Sequence, residues 1–484
     1  MPSALALSLV LALTACDGGV QGTPGGSGLR DPYFAKMGNG GYDVTHYDLT
    51  LAYDPGRRHL TGTAVITARA KQDLTAFALD LDGLDVGGVT VEGRPARWNR
   101  TGQELTVRPH DDLDKGETFR TTVRYSGTPV TITDPDGSKE GWLKTADGAL
   151  GLGEPTGSMA WFPGNHHPSD KASYDIEVTV PKGLRAVSNG ELTRETTSGD
   201  RTTFAWHTPE PMASYVATVA IGHYDVRRST TKSGLPVYVA VDPTQAKASA
   251  KVLAKLPEIM EWEENNFGPY PFSSTGAIVD RENDAGYALE TQNRPVFPGA
   301  PDTGTLVHEL AHQWYGDSVT PKSWRDMWLN EGFATYAEWL WQEDHGGETA
   351  QETFDALYRG DGGGDGAADK ARWAFPPGKP PVPPTSPTGR CMSGARWSFT
   401  RSARRSATTR STTSSRAGPP PTATATRTRP TSRRTWRRRH PARTSARSGT
   451  NGCTGRASRR SPERPPRHRC DPVGQALVSW FGDA

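Results

Sequence analysis

His308-Glu309-Leu310-Ala311-His312, followed by Trp328-Leu329-Asn330-Glu331-Gly332-Phe333-Ala334, is the stretch around which the rest of the chain is read. Two histidines four apart on a helix lie ~40° apart around its axis, so both imidazoles point into one space. A carboxylate from a second helix completes a three-ligand zinc site and leaves a fourth position open to water. Glu309, next to the first ligand, is placed to take a proton from that water. For the pentapeptide alone, two solvated histidines on a surface helix are the plain alternative. The flanking sequence decides for zinc. A helix over 305–315 puts Leu306, Leu310 and Trp314 on one apolar face, Pro321 breaks the pattern within 318–325, and a second helix is expected over 332–343. Eighteen residues lie between His312 and Glu331, which suits a helix, a connection and the start of a packed second helix.

At 484 residues the chain is long enough for two or three domains. Hydrophobic residues make up 34% and the mean hydropathy is -0.64, low for a globular chain of this size; the cause is local and lies at the C-terminus. The four cysteines are Cys16, Cys391, Cys453 and Cys470. Residues 17–389 therefore hold no disulfide framework and no thiolate metal site.

The apolar run 5–13 is too short to span a bilayer. It ends in Leu13-Thr14-Ala15-Cys16, which resembles a bacterial lipobox with Cys16 as the lipid-modified first residue of the mature protein. The expectation is a lipoprotein signal peptide over 1–16, a flexible Gly-rich tether over 17–40 and an extracytoplasmic protein held at the membrane by a lipid anchor at Cys16. An ordinary secretory signal with an incidental cysteine is the alternative, and gives a secreted protein. Residues 1–4 lack Lys and Arg, which leaves the true start codon open.

From 42 to about 224 the chain reads as strand after strand, over 44–53, 62–68, 75–81, 104–108, 118–125, 173–180 and 214–224. This predicts an N-terminal antiparallel β domain over 41–227, built on a large curved, saddle-like sheet. From 246 to 266 the pattern turns helical, with Val252, Leu253, Leu256, Ile259, Met260 and Trp262 near one stripe. A second, α-rich domain is expected from about 228, carrying the zinc helices.

These landmarks resemble the aminopeptidase N family of zinc peptidases, in the gluzincin clan. The zinc signature and its spacing match. Gly286-Tyr287-Ala288-Leu289-Glu290-Thr291 resembles the family's Gly-Ala-Met-Glu-Asn motif, with Thr291 departing from the usual Asn. Glu154-Pro155, Trp161-Phe162-Pro163 and Asp170-Lys171-Ala172-Ser173-Tyr174 resemble the segment that supplies a second acidic or amide group to the amine pocket. Phe267-Gly268-Pro269-Tyr270-Pro271-Phe272 resembles its aromatic-proline turn. The resemblance covers roughly 42–373.

It implies an α+β, multidomain fold in which a thermolysin-like catalytic domain over 228–382, incomplete in this chain, follows the β domain. It further implies one zinc ion on His308, His312 and Glu331, with Glu309 as general base. Glu290, helped by Glu154, would pair with the α-ammonium of peptide substrates with a free N-terminus, and backbone groups around Tyr287 and Ala288 would orient the first peptide bond. The function implied is removal of N-terminal amino acids; a zinc endopeptidase is the less favoured reading.

Beyond 382 the composition changes. All 22 basic residues of 383–484 are Arg and none is Lys, against Glu463, Asp471 and Asp483 alone. A disordered basic arm that binds nucleic acid or acidic lipid is one reading, but it fits an exported enzyme poorly, and no nucleic-acid partner is expected. A frameshift near 382–385 is the preferred reading. Taking the third base of each codon with the first two of the next, residues 390–400 can be read as V-Y-E-R-G-A-M-V-L-H-A, and an amphipathic helical pattern follows. Arginine without lysine is also what shifted GC-rich DNA tends to give. The resemblance implies a tyrosine downstream of the zinc glutamate that stabilises the oxyanion, where this chain has Cys391 and Met392. A catalytically impaired zinc- or peptide-binding remnant is therefore the alternative function.

Overall fold

The computed structural model describes residues 22–134 and 137–359. Cys16, the signal segment and the basic region beyond 382 lie outside the described residues. Alternation of apolar and polar side chains builds the N-terminal domain. In the strand Tyr42–Asp54, Val44 and then Tyr47, Leu49, Leu51 and Tyr53 are buried. The phase changes by one residue because a bulge lies between Val44 and His46, which returns the apolar face to the core.

This strand sits within an eight-stranded sheet in the order Glu191–Ser198, Arg201–Ala213, Lys171–Pro181, Tyr42–Asp54, His59–Ala70, Thr118–Gly127, Asp85–Val91 and Arg94–Pro95. The expected antiparallel sheet needs one correction, since Lys171–Pro181 pairs parallel to Tyr42–Asp54. A parallel pair needs a long crossover, and here most of the β domain lies between the two strands. Two smaller sheets complete the domain. One contains Leu74–Asp80 and Glu104–Arg108; the other contains Lys139–Lys144, Ala149–Leu152 and Val219–Gly222. Aromatic side chains fill the space between, with Tyr47 stacked on Tyr174 at 4.8 Å and Trp161 edge-on to Phe162 at 4.4 Å.

The expected tether over 17–40 is also corrected, because residues 22–40 pack against the domain. Thr23–Pro24 pairs with the strand Leu74–Asp80, and Asp31, Met37 and Asn39 are buried. Asp80 holds this segment down by accepting hydrogen bonds from Gly38 N and Asn39 Nδ2.

The next unit opens with the strand Asp225–Thr230, slightly before the boundary read at 228, and is less purely helical than expected. Four strands, Asp225–Thr230, Pro236–Val241, Thr275–Val279 and Val296–Phe297, form a sheet whose last three members run parallel. Parallel sheets are covered on both faces, and Pro236–Val241 shows how. Val237, Val239 and Val241 pack with the helices, whereas Tyr238 and Ala240 join the core of the β domain. The helix expected over 246–266 is two helices, Ala246–Leu253 and Leu256–Phe267. Pro257 starts the second, where its missing N–H costs nothing, and cannot sit inside a continuous helix. Arg294, wholly buried, ties the units together: it donates to the carbonyls of Tyr238 (3.2 Å) and Gly190 (2.9 Å) and lies over the Trp206 ring. No helix among the described residues is long and apolar enough to cross a membrane.

Candidate metal centre

Two helices present the ligands. The first, Thr303–Ala311, is capped by Asp302, whose side chain accepts from Thr305 N at 2.8 Å. Its apolar face buries Leu306, Val307 and Leu310. Trp314, just beyond, donates to the carbonyls of Gly268 and Pro269 in the aromatic-proline turn. After a short 3-10 turn, Trp324–Asp326, the second helix runs over Met327–Asp344. It begins earlier than the expected 332, which places Glu331 inside its second turn.

The three expected ligands converge. His308 Nε2 lies 3.4 Å from Glu331 Oε2, and His312 Nε2 lies 3.7 Å from Glu331 Oε1. All three side chains are buried, and their ligand atoms fall within 4.8 Å of one another. The other ring nitrogens are committed elsewhere. His312 Nδ1 is 3.0 Å from the Tyr315 carbonyl, which can only accept, so Nδ1 carries the proton and Nε2 is left as a ligand. His308 Nδ1 lies 2.7 Å from Glu338 Oε1, with the same consequence. Burial works against the charged form of His308, but in the metal-free site the carboxylates of Glu331 and Glu338 outweigh it and raise the pKa well above that of a free imidazole, so metal binding at Nε2 would displace a proton. Two imidazole nitrogens, each ring oriented from behind, and one carboxylate form a donor set that fits zinc.

Glu338 was missed by the sequence reading. The signal was available: seven residues from Glu331 is ~20° around a helix, so the two acids share one face.

Further acids crowd the same space. Glu154, Glu290 and Glu331 bring carboxylate oxygens within 4.8 Å of one another, as do Glu290 and Glu309 with His312. Glu154 and Glu290 are each only 1% exposed, so neither is an ordinary surface acid. Burial raises the Glu154 carboxyl well above the usual range, and the neighbouring Glu290, Glu331 and Glu309 push it further. Burial likewise raises Glu309, against the pull of His308, and raises Glu290, against the pull of His312. Carboxylates this close ionise together only beside compensating positive charge.

The upstream motif residues support this cluster. Tyr287, expected to contribute backbone, is buried, and its hydroxyl donates to the Glu154 carbonyl at 3.1 Å. Ala288 lies half-buried in the same segment, and a side chain added at Gly286 would meet open space. Gln313, not anticipated, donates to the Glu290 carbonyl at 3.1 Å and accepts from Asn293 N at 2.8 Å, locking this segment to the first zinc helix. Thr291 directs its hydroxyl to the Arg294 carbonyl at 2.6 Å. The positions of Cys391 and Met392 lie outside the described residues.

Comparison with known proteins places this geometry. The Peptidase M1 N-terminal domain matches residues 44–216 and the Peptidase family M1 domain matches residues 301–361. Glutamyl aminopeptidase of Bos taurus is 32% identical over 339 residues, covering 61% of this chain and 34% of that protein. That of Sus scrofa is 31% identical over 212 residues, covering 39% of this chain and 22% of that protein. The chain thus spans about a third or less of these curated relatives. An M1 zinc metallopeptidase from Deinococcus radiodurans superposes with a TM-score of 0.64 at 32% identity, covering 69% of this chain and 77% of that one. A mutant of it bound to a Tyr-Ser-Ala substrate gives 0.62 at 32% identity, covering 69% and 78%. With the zinc signature assembled on two buried helices and the β domain in front of it, the chain belongs to the M1 family of zinc metallopeptidases.

Proposed function

We propose that this protein is a zinc-dependent aminopeptidase that removes single residues from the free N-terminus of peptides. One observation carries the reading. Glu154 and Glu290 sit beside the zinc ligands, yet neither Glu154 oxygen nor Glu290 Oε1 has a hydrogen-bond partner among the described residues. Buried acceptors of this kind call for a cation, and a peptide's α-ammonium is the cation that would sit one residue from the scissile bond. Held by His308, His312 and Glu331, zinc would polarise the scissile carbonyl and acidify water. Glu309 is the carboxylate placed to take a proton from the attacking water and pass it to the departing amine. Glu290 and Glu154 hold the α-ammonium and close the end of the cleft, which makes the action exopeptidic.

The test is release of a chromophore from Ala- or Leu-anilides, abolished by chelation and restored by zinc. Cleavage of N-terminally blocked peptides, without release from free-amine substrates, would show an endopeptidase instead.

A second reading concerns this polypeptide rather than its lineage. The change to arginine without lysine after 382 favours a frameshift, and the chain would then be a zinc- or peptide-binding remnant of low turnover. Deep sequencing of the source DNA across the codons for 381–391 separates the two. A single-base error there predicts an active enzyme from the corrected gene; a genuine shift predicts stoichiometric zinc with little turnover. For location, the lipobox-like Leu13-Thr14-Ala15-Cys16 supports a lipid anchor at Cys16 on the extracytoplasmic face, which Cys16→Ser would release into the medium.

A further inference from the structure

We propose that Asp31, in the N-terminal segment, is a positioning residue for the metal ligand Glu331, so that residues 29–39 are part of the machinery that sets the zinc site. The proposal rests on the zinc reading above. The connection between His312 and Glu331 folds on its own backbone hydrogen bonds, among them Asp317 N to the His312 carbonyl, and is pinned from outside by the β domain. Lys171 Nζ donates to the carbonyls of Asp317 (2.5 Å) and Ser318 (3.1 Å). Tyr215 OH donates to the Gly316 carbonyl at 3.3 Å. These contacts hold the end nearest His312; Asp31 holds the end nearest Glu331.

Its carboxylate is wholly buried and has five hydrogen-bonding or ionic neighbours. Oδ1 accepts from Tyr33 N (2.9 Å) and Phe34 N (3.2 Å), which folds the segment back on itself. Oδ2 accepts from Ser323 Oγ and Trp324 N, both at 2.9 Å. His167 Nε2 lies 3.6 Å from the same oxygen. Because His167 Nδ1 accepts from Ser169 N at 3.2 Å, a neutral ring carries its proton on Nε2, facing Asp31.

Ser323 relays the contact. While donating to Asp31, its Oγ accepts from Arg325 N at 3.3 Å and so caps the turn Trp324–Asp326. Phe34, from the same segment, lies edge-on to the buried Trp324 ring at 6.0 Å, and so does Tyr215 at 5.1 Å. That turn runs directly into the helix Met327–Asp344. A helix moves as a rod, so a shift at its first turn is passed to Glu331 almost undiminished. Zinc ligation tolerates misplacement of only ~0.5 Å. A carboxylate from the far end of the chain thus sets the register of the third ligand.

The experiment is zinc affinity by chelator competition, with the d–d spectrum of the cobalt-substituted protein, on the full chain and on Asp31→Ala, Asp31→Asn and Ser323→Ala. Val123→Ala, a core truncation in the large sheet, controls for general destabilisation. Asp31→Ala is expected to weaken zinc binding about tenfold, the low end for changes behind a metal ligand, and to alter the cobalt spectrum. Asp31→Asn, which keeps an acceptor, is expected to recover part of both, while Val123→Ala lowers thermal stability and leaves both unchanged. Should Asp31→Ala not fold, Ser323→Ala decides by the same two readouts. Wild-type affinity and spectrum in the folded Asp31 and Ser323 variants would overturn the proposal, as would an equal loss in Val123→Ala. A wild-type chain that takes up no zinc would overturn the zinc reading itself, and this proposal with it.

Discussion

At the scale of single residues, the site separates binding metal from using it. Glu309 lies next to His308 in sequence and meets Glu290 and His312, but stands outside the two-imidazole set of His308, His312 and Glu331. Its removal should therefore spare the metal. Glu309→Gln is expected to lower turnover by about 10²–10⁴-fold with zinc stoichiometry unchanged, as measured by metal analysis beside an anilide assay. Glu338 behaves in the opposite way. It accepts from His308 Nδ1 at 2.7 Å and so acts on the metal site through that ring. Glu338→Ala should weaken zinc binding roughly 10–100-fold, and excess zinc in the assay should restore most of the activity. Unchanged affinity by competition titration would remove Glu338 from the metal centre.

At the scale of elements, the two helices differ in how they are held. Thr303–Ala311 is short and owes part of its stability to its cap, since Asp302 satisfies Thr305 N. Asp302→Ala should cost about 1 kcal/mol, read as a lowered denaturation midpoint, whereas Asp302→Ser should retain most of it. Equal midpoints for Asp302→Ala and the parent chain would mean that packing of Leu306 and Leu310 alone holds the helix. The second helix begins from a turn fastened by Asp31 and is covered along Ala334 and Ala337 by the first. Its start was legible only approximately, because Met327 to Asn330 carry no stop or start signal as strong as Pro321. The split of 246–267 into two helices was legible in Pro257, but apolar periodicity on both sides of it concealed the break.

At the scale of the whole molecule, packed layers bury charge, and pH should expose the cost. Burial pushes the Asp80 carboxyl up to about 8, with Glu104 adding to the rise and the donors His166 N, Gly38 N and Asn39 Nδ2 opposing it. A carboxyl whose pKa is raised by folding contributes stability that is complete below its unfolded value near 4 and is lost as pH climbs through the folded value. Stability should therefore fall between about pH 4 and pH 8, and Asp80→Asn should flatten that slope in denaturant midpoints. A slope identical in Asp80→Asn would assign it to other groups. The sequence by itself determined that His308, His312 and Glu331 come together, and most of the long strands, because helix spacing and strand alternation are local geometry that a few adjacent residues impose. It also pointed to Glu290 and Glu154 through resemblance, without saying that their oxygens meet. Only the tertiary structure decided that meeting, the packing of residues 22–40, the parallel strand Lys171–Pro181 and the reach of Asp31 to Trp324. Such contacts join residues far apart in the chain, and they form only when burial of both layers makes one arrangement the lowest in free energy.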